Sequence, residues 1–155
     1  MRVRKARPED AEAMSAVLIA SITELCVADH GGRPEALAEW TANKSPDGVR
    51  QWFGNTTHRL FVAEEDGEIL GVGGFSASGE ITLNYVSPSA RFRGVSRAML
   101  TTLEDEMRAA GISEARLHST NTARRFYLEG GWREGAETAA KFCNVRCQAM
   151  TKRLD

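Results

Sequence analysis

Three apolar, β-prone segments follow one another near the middle of the chain, and they constrain its fold more than any other feature. They comprise residues 60–64, 69–75 and 81–86. Asp66-Gly67 separates the first two segments, and an Asp-Gly pair between β-prone runs is typical of a two-residue hairpin turn. Ser78-Gly79 separates the second segment from the third. The segments therefore predict three consecutive antiparallel strands.

Helical patterns precede these strands. A short strand is predicted at residues 3–7, and from Glu9 apolar side chains recur at three- and four-residue spacing until His30-Gly31-Gly32. The side chains on this predicted face are Met14, Val17, Leu18, Ser21, Ile22 and Leu25. Further helical stretches begin after Pro34 and after Ser45-Pro46, where a cap residue stands directly before a first-turn proline. We therefore expect one strand and several helices before the central strands.

Two more helices and two more strands are predicted after the central strands. The helix at residues 97–110 is amphipathic, and Gly111 is its natural C-terminal cap. Its predicted inward residues are Leu100, Leu103, Met107 and Ala110, and its predicted outward residues are Glu104, Asp105, Glu106 and Arg108. Residues 115–119 are predicted as a strand, 122–129 as a short helix and 141–154 as mostly strand. This order predicts an α/β (α+β) fold with helices on both faces of a mixed sheet.

Length and composition are those of one ordinary globular domain. The 155 residues leave no room for a second core, so residues 1–155 are interpreted as a single domain. The 20 Lys and Arg residues balance 21 Asp and Glu, and a net charge of -1 provides no basic field for nucleic acid. The longest apolar run, residues 16–20, is far shorter than the about 20 residues that cross a bilayer. No signal-peptide core precedes Pro8, so neither nucleic acid nor a membrane is expected as a partner.

The cysteines bear on the cellular compartment. Cys26, Cys143 and Cys147 are an odd number, and a chain of this length needs no covalent staple, which suggests reduced thiols. A zinc site is not expected, because structural zinc sites usually contain closely spaced cysteine pairs. The cysteines therefore predict a cytoplasmic protein without a bound metal, in which the thiols serve as small buried side chains.

The junction at residues 85–100 is the most informative segment for function. A strand ends, a turn with Gly94 follows and an amphipathic helix begins at once, so several amide N–H groups at the helix start lack intrahelical acceptors. Arg91, Arg93 and Arg97 add positive charge. These features predict a site for an anion such as a pyrophosphate. The alternative is an ordinary helix start with solvated arginines, and the spacing matches neither a Walker loop nor a dinucleotide-binding turn.

This junction resembles the signature of the GNAT superfamily of N-acetyltransferases. The family has Gln/Arg-x-x-Gly-x-Gly/Ala on such a turn, after a strand that ends in a sequence like Val-x-Pro. Here Arg91-Phe92-Arg93-Gly94-Val95-Ser96 follows Val86-Ser87-Pro88, and Ser96 occupies the position of Gly or Ala.

A second motif at the expected distance strengthens the resemblance. Residues 123–132, Ala-Arg-Arg-Phe-Tyr-Leu-Glu-Gly-Gly-Trp, are similar to the family's Ala-x-x-x-Tyr-Glu-x-x-Gly-Phe. Thr120 occupies the position, three residues before the alanine, at which the family often has Asn, and Asn121 follows it. The predicted order of elements is also similar to that of the family along nearly all of the chain.

The resemblance implies the GNAT fold, in which a central mixed, mostly antiparallel sheet of about seven strands is splayed between strands 4 and 5. It implies acetyl-coenzyme A as co-substrate, with the pantetheine arm in the splay and hydrogen-bonded to the backbone of Tyr85 and Val86. The residues implied in cofactor binding are Tyr85, Val86, Arg91, Phe92, Arg93, Gly94, Val95, Ser96, Arg97, Asn121 and Tyr127.

The resemblance also implies the chemistry, which is direct acetyl transfer to an amine in a ternary complex without an acyl-enzyme. Tyr127 matches the family's acid, which protonates the departing thiolate; its alternative role is core packing. The amine must lose a proton to a base. Glu80, His118 and Glu24 are candidates, a water relay is an equal alternative, and a strand histidine is more often a structural residue.

The acceptor side is marked less clearly. Residues 26–30 and Trp40 resemble a pattern in some bacterial GNAT enzymes, and the first helices line the acceptor pocket in the family. The candidate substrate-binding residues are therefore Glu24, Asp29, His30 and Trp40. A small-molecule primary amine is the preferred acceptor; an inactive acetyl-coenzyme A sensor and a peptide or protein N-terminal acetyltransferase are the alternatives. Homodimer formation is left open.

Overall fold

The computed structural model describes residues 1–139 and 146–155, and in these ranges seven strands and six α-helices follow one another. In chain order they are β1 (Arg2–Lys5), α1 (Ala11–Leu25), α2 (Val27–His30), α3 (Pro34–Thr41), α4 (Pro46–Trp52), β2 (His58–Glu65), β3 (Glu68–Ser76), β4 (Ile81–Val86), α5 (Val95–Ala109), β5 (Glu114–Ser119), α6 (Arg124–Glu129), β6 (Arg133–Ala139) and β7 (Arg146–Arg153). No helix in the described ranges is long and apolar enough to cross a bilayer.

The strands form two antiparallel sheets that lie side by side. One has the order β1-β2-β3-β4 and the other the order β5-β7-β6. The predicted central meander is confirmed, since β2 pairs with β3 and β3 with β4, each antiparallel. Asp66 and Gly67 both have positive φ, 52° and 80°, as a tight hairpin turn of the type favoured by strand twist requires.

The C-terminal part of the prediction is wrong in one respect. The predicted strand within residues 141–154 is present as β7, but β6 (Arg133–Ala139) lies in a segment for which no element was predicted, and it pairs with β7 in antiparallel orientation. β6 has the sequence Arg-Glu-Gly-Ala-Glu-Thr-Ala, in which Thr138 is the one β-branched residue and no aromatic residue occurs, so the usual signal of a strand is weak. The predicted thiol Cys143 lies outside the described residues.

Helix α5 covers one face of the sheet. Leu100, Leu103 and Met107 are buried, as predicted. Glu104, predicted to face outward, is instead buried at 6% exposure, because its carboxylate accepts hydrogen bonds from Trp132 Nε1 (3.3 Å) and Lys152 Nζ (2.8 Å). Ala110, predicted inward, is exposed because it lies just beyond the last turn of the helix.

Helix α1 covers the opposite face. Its predicted apolar side is confirmed, since Met14, Val17, Leu18, Ser21 and Ile22 are buried. Met14 and Leu18 pack in one cluster with Val62 and Val72 of the meander. The predicted helix over residues 9–30 is interrupted, because Cys26 leaves helical geometry between α1 and α2 (φ −101°, ψ 26°). Helices therefore pack on both faces of the sheet.

Gly73 allows α5 to approach β3 closely, and this makes a prediction. A methyl group at this position would overlap the Met99 side chain and lie 3.3 Å from Leu103 Cδ1. We expect Gly73→Ala to lower the free energy of unfolding by about 1–3 kcal/mol, as overpacked cores do, measured by urea denaturation. Gly54→Ala is the control, since the nearest atom to its methyl group would be Gln51 O at 3.4 Å. Equal stability of the two variants would contradict the close approach.

Candidate functional site

The site begins where β4 and β5 separate. The two strands run parallel and are joined by an isolated bridge between Glu80 and Arg116, where the Arg116 N–H donates to Gly79 O at 2.9 Å. No other β4–β5 pair forms among the described residues. Beyond the bridge the strands are no longer paired, and a pocket separates the end of β4 from the turn after β5. The splay implied by the resemblance is therefore present.

A pocket of about 440 Å³ fills this gap and continues to the start of α5. Its volume lies within the range of small-molecule sites. The lining residues come from the end of α1, the end of β4, the turn before α5, the turn after β5, and α6. They are Ser21, Leu25, Cys26, Asn84, Tyr85, Val86, Ala90, Arg91, Phe92, Gly94, Val95, Ser96, Arg97, Thr120, Thr122, Ala123, Phe126 and Tyr127. Every predicted cofactor-binding residue except Arg93 and Asn121 is among them.

The turn before α5 has the geometry of an anion site. Gly94 is the N-cap of α5 and has φ 79°, a left-handed conformation that glycine adopts without strain. The first-turn amides beyond it have no intrahelical acceptor and lie beside the pocket. Arg91 and Arg97 also line the pocket. The dipole of α5 and these two guanidinium groups therefore favour an anionic ligand there.

Two aromatic rings flank these arginines. The Arg91 guanidinium lies 4.5 Å from the centre of the Phe92 ring, and that of Arg97 lies 5.7 Å from the centre of the Phe126 ring. Phe92 is 89% exposed and has a positive φ of 64°. Arg93 points elsewhere, since its Nη2 lies 2.5 Å from Glu65 Oε2. Arg91 and Arg97 therefore contribute positive charge beside the pocket, whereas Arg93 is paired with Glu65 outside it.

Tyr127 lies on α6 with its ring in the core and lines the pocket. It is only 6% exposed, and it packs edge-on against Trp132 with ring centres 5.8 Å apart. Burial raises the pKa of its phenol to about 12, and a hydrogen bond from the Asn84 side chain opposes this rise. The phenol is therefore protonated at neutral pH, as a proton donor must be.

The turn between β5 and α6 is held by Asp29 from α2. The Asn121 N–H donates to Asp29 Oδ1 at 2.7 Å, and the Thr122 hydroxyl donates to Oδ2 at 2.5 Å. The backbone N–H of Asn121 therefore faces α2, and Thr120 lines the pocket whereas Asn121 does not. Asp29, a predicted substrate-binding residue, joins the two sides of the splay and does not itself line the pocket.

The candidate bases Glu80 and His118 lie together. His118 Nδ1 is 3.3 Å from Glu80 Oε1, and both side chains are partly exposed. They stand beside the bridge at the closed end of the splay, and neither lines the pocket. Glu24, the third candidate, is exposed on α1 and is also absent from the lining. The candidate bases Glu80 and His118 therefore contact each other, but neither lines the pocket.

His30 and Trp40 are buried beside one another on the α1 side. His30 Nε2 donates to Ile22 O and its Nδ1 accepts from the Gly32 N–H, both at 2.9 Å. Trp40 Nε1 donates to Tyr85 Oη at 3.2 Å. These contacts hold His30 in place as a structural residue and connect α3 to the pocket residue Tyr85. Among the described side chains, no group of three or more His, Cys, Asp or Glu residues is arranged to hold a metal ion.

Sequence reasoning missed several lining residues. Ser21 and Leu25 were assigned only to the apolar face of α1, yet they reach the pocket. Asn84 is the most informative omission, because its Oδ1 is buried and no donor among the described residues reaches it. The signal was an asparagine within an otherwise apolar strand, since asparagine is depleted in strands.

Comparison with known proteins gives a consistent result. Residues 12–154 match the family model of the acetyltransferase (GNAT) domain. The GCN5-related N-acetyltransferase from Rhodopseudomonas palustris has the same fold, with a TM-score of 0.87 at 21% identity over 98% of this chain and 94% of that chain. No curated protein sequence matches the chain.

Two further solved structures with this fold contain ligands. The paiA N-acetyltransferase from Thermoplasma acidophilum, solved in complex with coenzyme A, has a TM-score of 0.76 at 19% identity, covering 98% of each chain. The yncA protein from Salmonella typhimurium, solved with its cofactor acetyl-CoA, has a TM-score of 0.70 at 21% identity, covering 100% of this chain and 94% of that chain. The fold of this chain is thus shared with proteins whose solved structures contain coenzyme A or acetyl-CoA.

The Asp29 contacts make a second prediction. Asp29→Ala removes the acceptor for the Asn121 N–H, the Thr122 N–H (3.4 Å) and the Thr122 hydroxyl. We therefore expect faster hydrogen exchange at both amides and a loss of about 0.5–2 kcal/mol in unfolding free energy. Asp47→Ala is the control, because Asp47 forms only an exposed ion pair with Arg50, and such pairs contribute little. Unchanged exchange at Asn121 would contradict the assigned contacts.

The buried phenol makes a third prediction. Since burial favours the neutral form of Tyr127, with its pKa at about 12, the folded protein and its Tyr127→Phe variant should develop the same phenolate absorbance up to about pH 11. After denaturation the unmodified chain should absorb more than the variant, because the phenol then titrates normally. A difference between the folded proteins near about pH 10 would contradict the burial of the hydroxyl group.

Proposed function

The chain belongs to the GNAT acetyltransferase family, and from this premise we propose that it transfers the acetyl group of acetyl-coenzyme A to a primary amine of a small molecule. Transfer is proposed to be direct, within a ternary complex. The observation that carries the proposal is the pocket itself, which joins the β4–β5 gap, the N-terminus of α5 and the Tyr127 phenol in one cavity.

The pocket residues fit the chemistry of coenzyme A. The first-turn amides of α5, with Arg91 and Arg97, suit the pyrophosphate. An added Cβ at Gly94 would meet nothing within 4 Å, so the backbone there is open to close approach by a ligand. The gap between β4 and β5 suits the narrow pantetheine arm. Coenzyme A and acetyl-CoA in the similar Thermoplasma and Salmonella structures support this assignment.

The reaction needs an acid at the departing sulfur. The amine nitrogen attacks the thioester carbonyl carbon, the carbon–sulfur bond breaks, and the products are an amide and the free thiol of coenzyme A. Tyr127 is the proposed donor of the thiol proton, because it is protonated at neutral pH and lines the pocket. Its loss of a proton is brief, since solvent or the proton released by the amine restores it.

The amine must also lose a proton. Glu80 and His118 form a pair outside the pocket lining, so we propose that they receive this proton through water and not by direct contact. Glu24 on α1 is exposed and does not line the pocket, so it too could act only through water. A water relay of this kind would allow the amine to be deprotonated although none of these candidate bases lines the pocket.

The acceptor is proposed to enter from the α1 side. Ser21, Leu25 and Cys26 line the pocket there, and the Trp40–Tyr85 contact closes the wall behind them. This largely apolar wall favours a small molecule over an extended peptide backbone, which needs many hydrogen-bonding partners.

We also propose a reducing cytoplasmic location, consistent with Cys26 and Cys147 packing in one apolar cluster with Ile22 and Trp40.

A fourth prediction tests cofactor binding at the α5 turn. Gly94→Val adds a branched side chain at a positive φ beside the pocket, and we expect it to weaken acetyl-CoA binding by well over tenfold, more than ~1.4 kcal/mol, measured by calorimetry. Gly111→Val is the matched control: Gly111 has φ 82° and equally open surroundings, but it lies at the other end of α5. Unchanged affinity in a folded Gly94→Val protein would refute the assignment.

A fifth prediction tests the acid. Tyr127→Phe keeps the packing of the ring and removes the hydroxyl group, so the affinity for acetyl-CoA should change little. Turnover should fall by roughly 10²-fold, the low end for general acid catalysis, because a thiolate leaves fairly well unaided.

The acceptor amine for this measurement comes from a panel of small amines, aminoglycosides and dipeptides, with thiol release from acetyl-CoA as the signal. Equal single-turnover rates for the variant and the unmodified protein would show that Tyr127 is not the acid and serves only in core packing. Release of thiol only with dipeptides would favour a peptide acceptor, and no release with any amine would favour a sensor.

A further inference from the structure

Asn84 is a polar residue in the pocket wall that the proposed reaction does not yet use. It lies on β4 directly before Tyr85. Successive side chains of a strand point to opposite faces, and Val86 packs in the cluster that contains Tyr127, whereas Tyr85 packs in the clusters of α1 and α3. Asn84 therefore shares a face with Val86 and Tyr127, on the side where α5 begins.

The two ends of the Asn84 amide have different surroundings. Its side chain is hydrogen-bonded to the Tyr127 phenol, and because no donor reaches Oδ1, the amide nitrogen is the atom that donates to the phenol oxygen. Its Oδ1 is buried, and among residues 1–139 and 146–155 no donor reaches it. A buried acceptor without a donor costs free energy, and the pocket that Asn84 lines provides space for a ligand to supply one. The amide therefore has one end on Tyr127 and the other available to a ligand N–H.

We propose that Asn84 positions the Tyr127 phenol for proton transfer and binds the co-substrate, accepting a hydrogen bond from an amide N–H of the pantetheine arm at Oδ1. The inference rests on the proposed function. The pantetheine arm contains amide N–H groups, and Asn84 lies on the face of β4 where α5 and Tyr127 stand, away from the α1 side that faces the acceptor.

The direction of the hydrogen bond to Tyr127 explains the positioning role. A phenol has one hydrogen to donate and lone pairs that accept. When Asn84 donates to the oxygen, the phenol keeps its own hydrogen for the departing sulfur. A carboxylate at position 84 can only accept, so it would take that hydrogen and leave the sulfur without a donor.

Two substitutions separate the two roles. Asn84→Leu removes donor and acceptor together, and we expect coenzyme A to bind at least tenfold more weakly by calorimetry. Asn84→Asp keeps an acceptor oxygen, so we expect affinity within about threefold of the unmodified protein, while turnover with the amine found in the panel falls at least tenfold. Thr82→Ala on the same strand, whose hydroxyl contacts His58 outside the pocket, should change neither quantity.

A pH profile and a double variant test the route through Tyr127. The turnover of Asn84→Asp relative to the unmodified protein should rise as the pH falls, because a protonated carboxyl group can again donate to the phenol oxygen. In a Tyr127→Phe background, Asn84→Asp should cause no further loss of turnover, since there is no phenol left to position.

The outcomes are distinct. Unchanged coenzyme A affinity in Asn84→Leu would overturn the binding role, and if that variant does not fold, a more than tenfold loss of affinity in Asn84→Asp would overturn it. A pH-independent turnover ratio, or full additivity with Tyr127→Phe, would overturn the positioning role. If the unmodified protein binds no coenzyme A, the proposed function fails and this inference fails with it.

Discussion

The parallel pairing of β4 and β5 stops after one bridge, and the functional site depends on that interruption. On its other edge β4 is paired with β3, apart from an irregularity at Thr82, and β5 is paired with β7, so each strand is held on the side away from the gap. Backbone N–H and C=O groups that face the gap have to find partners in water or in a ligand. Because α5 follows β4 and α6 follows the β5 turn, both helix starts also face this gap.

Contacts from outside the sheets keep the gap in shape. Asp29 of α2 accepts hydrogen bonds from the turn before α6, and Trp40 of α3 donates to the Tyr85 hydroxyl, so α2 and α3 are attached to both walls of the gap. Across the sheet, the buried Glu104 of α5 holds Lys152 of β7. The cavity is therefore bounded by elements that are fastened to each other, which preorganises it for a ligand.

Much of the fold and part of the candidate site could be predicted from the sequence, but several contacts could not. The meander, the amphipathic faces of α1 and α5 and the turn at Gly94 follow local rules of periodicity and turn chemistry, and motif resemblance supplied the splay and Tyr127. The burial of Glu104, the strand β6 and the contact between Asp29 and Asn121 depend on residues distant in the chain, which local patterns do not encode. The contact between Asn84 and Tyr127 could not be predicted for the same reason, since the two residues are distant in the sequence and become neighbours only in the fold.

The most direct test of the account is a crystal structure of the unmodified protein with coenzyme A. We expect density for the pantetheine arm in the gap between Val86 and Thr120, with the pyrophosphate on the amides around Gly94 and the sulfur beside the Tyr127 hydroxyl. Coenzyme A bound elsewhere on the protein, or a gap that closes by further pairing of β4 with β5, would contradict it.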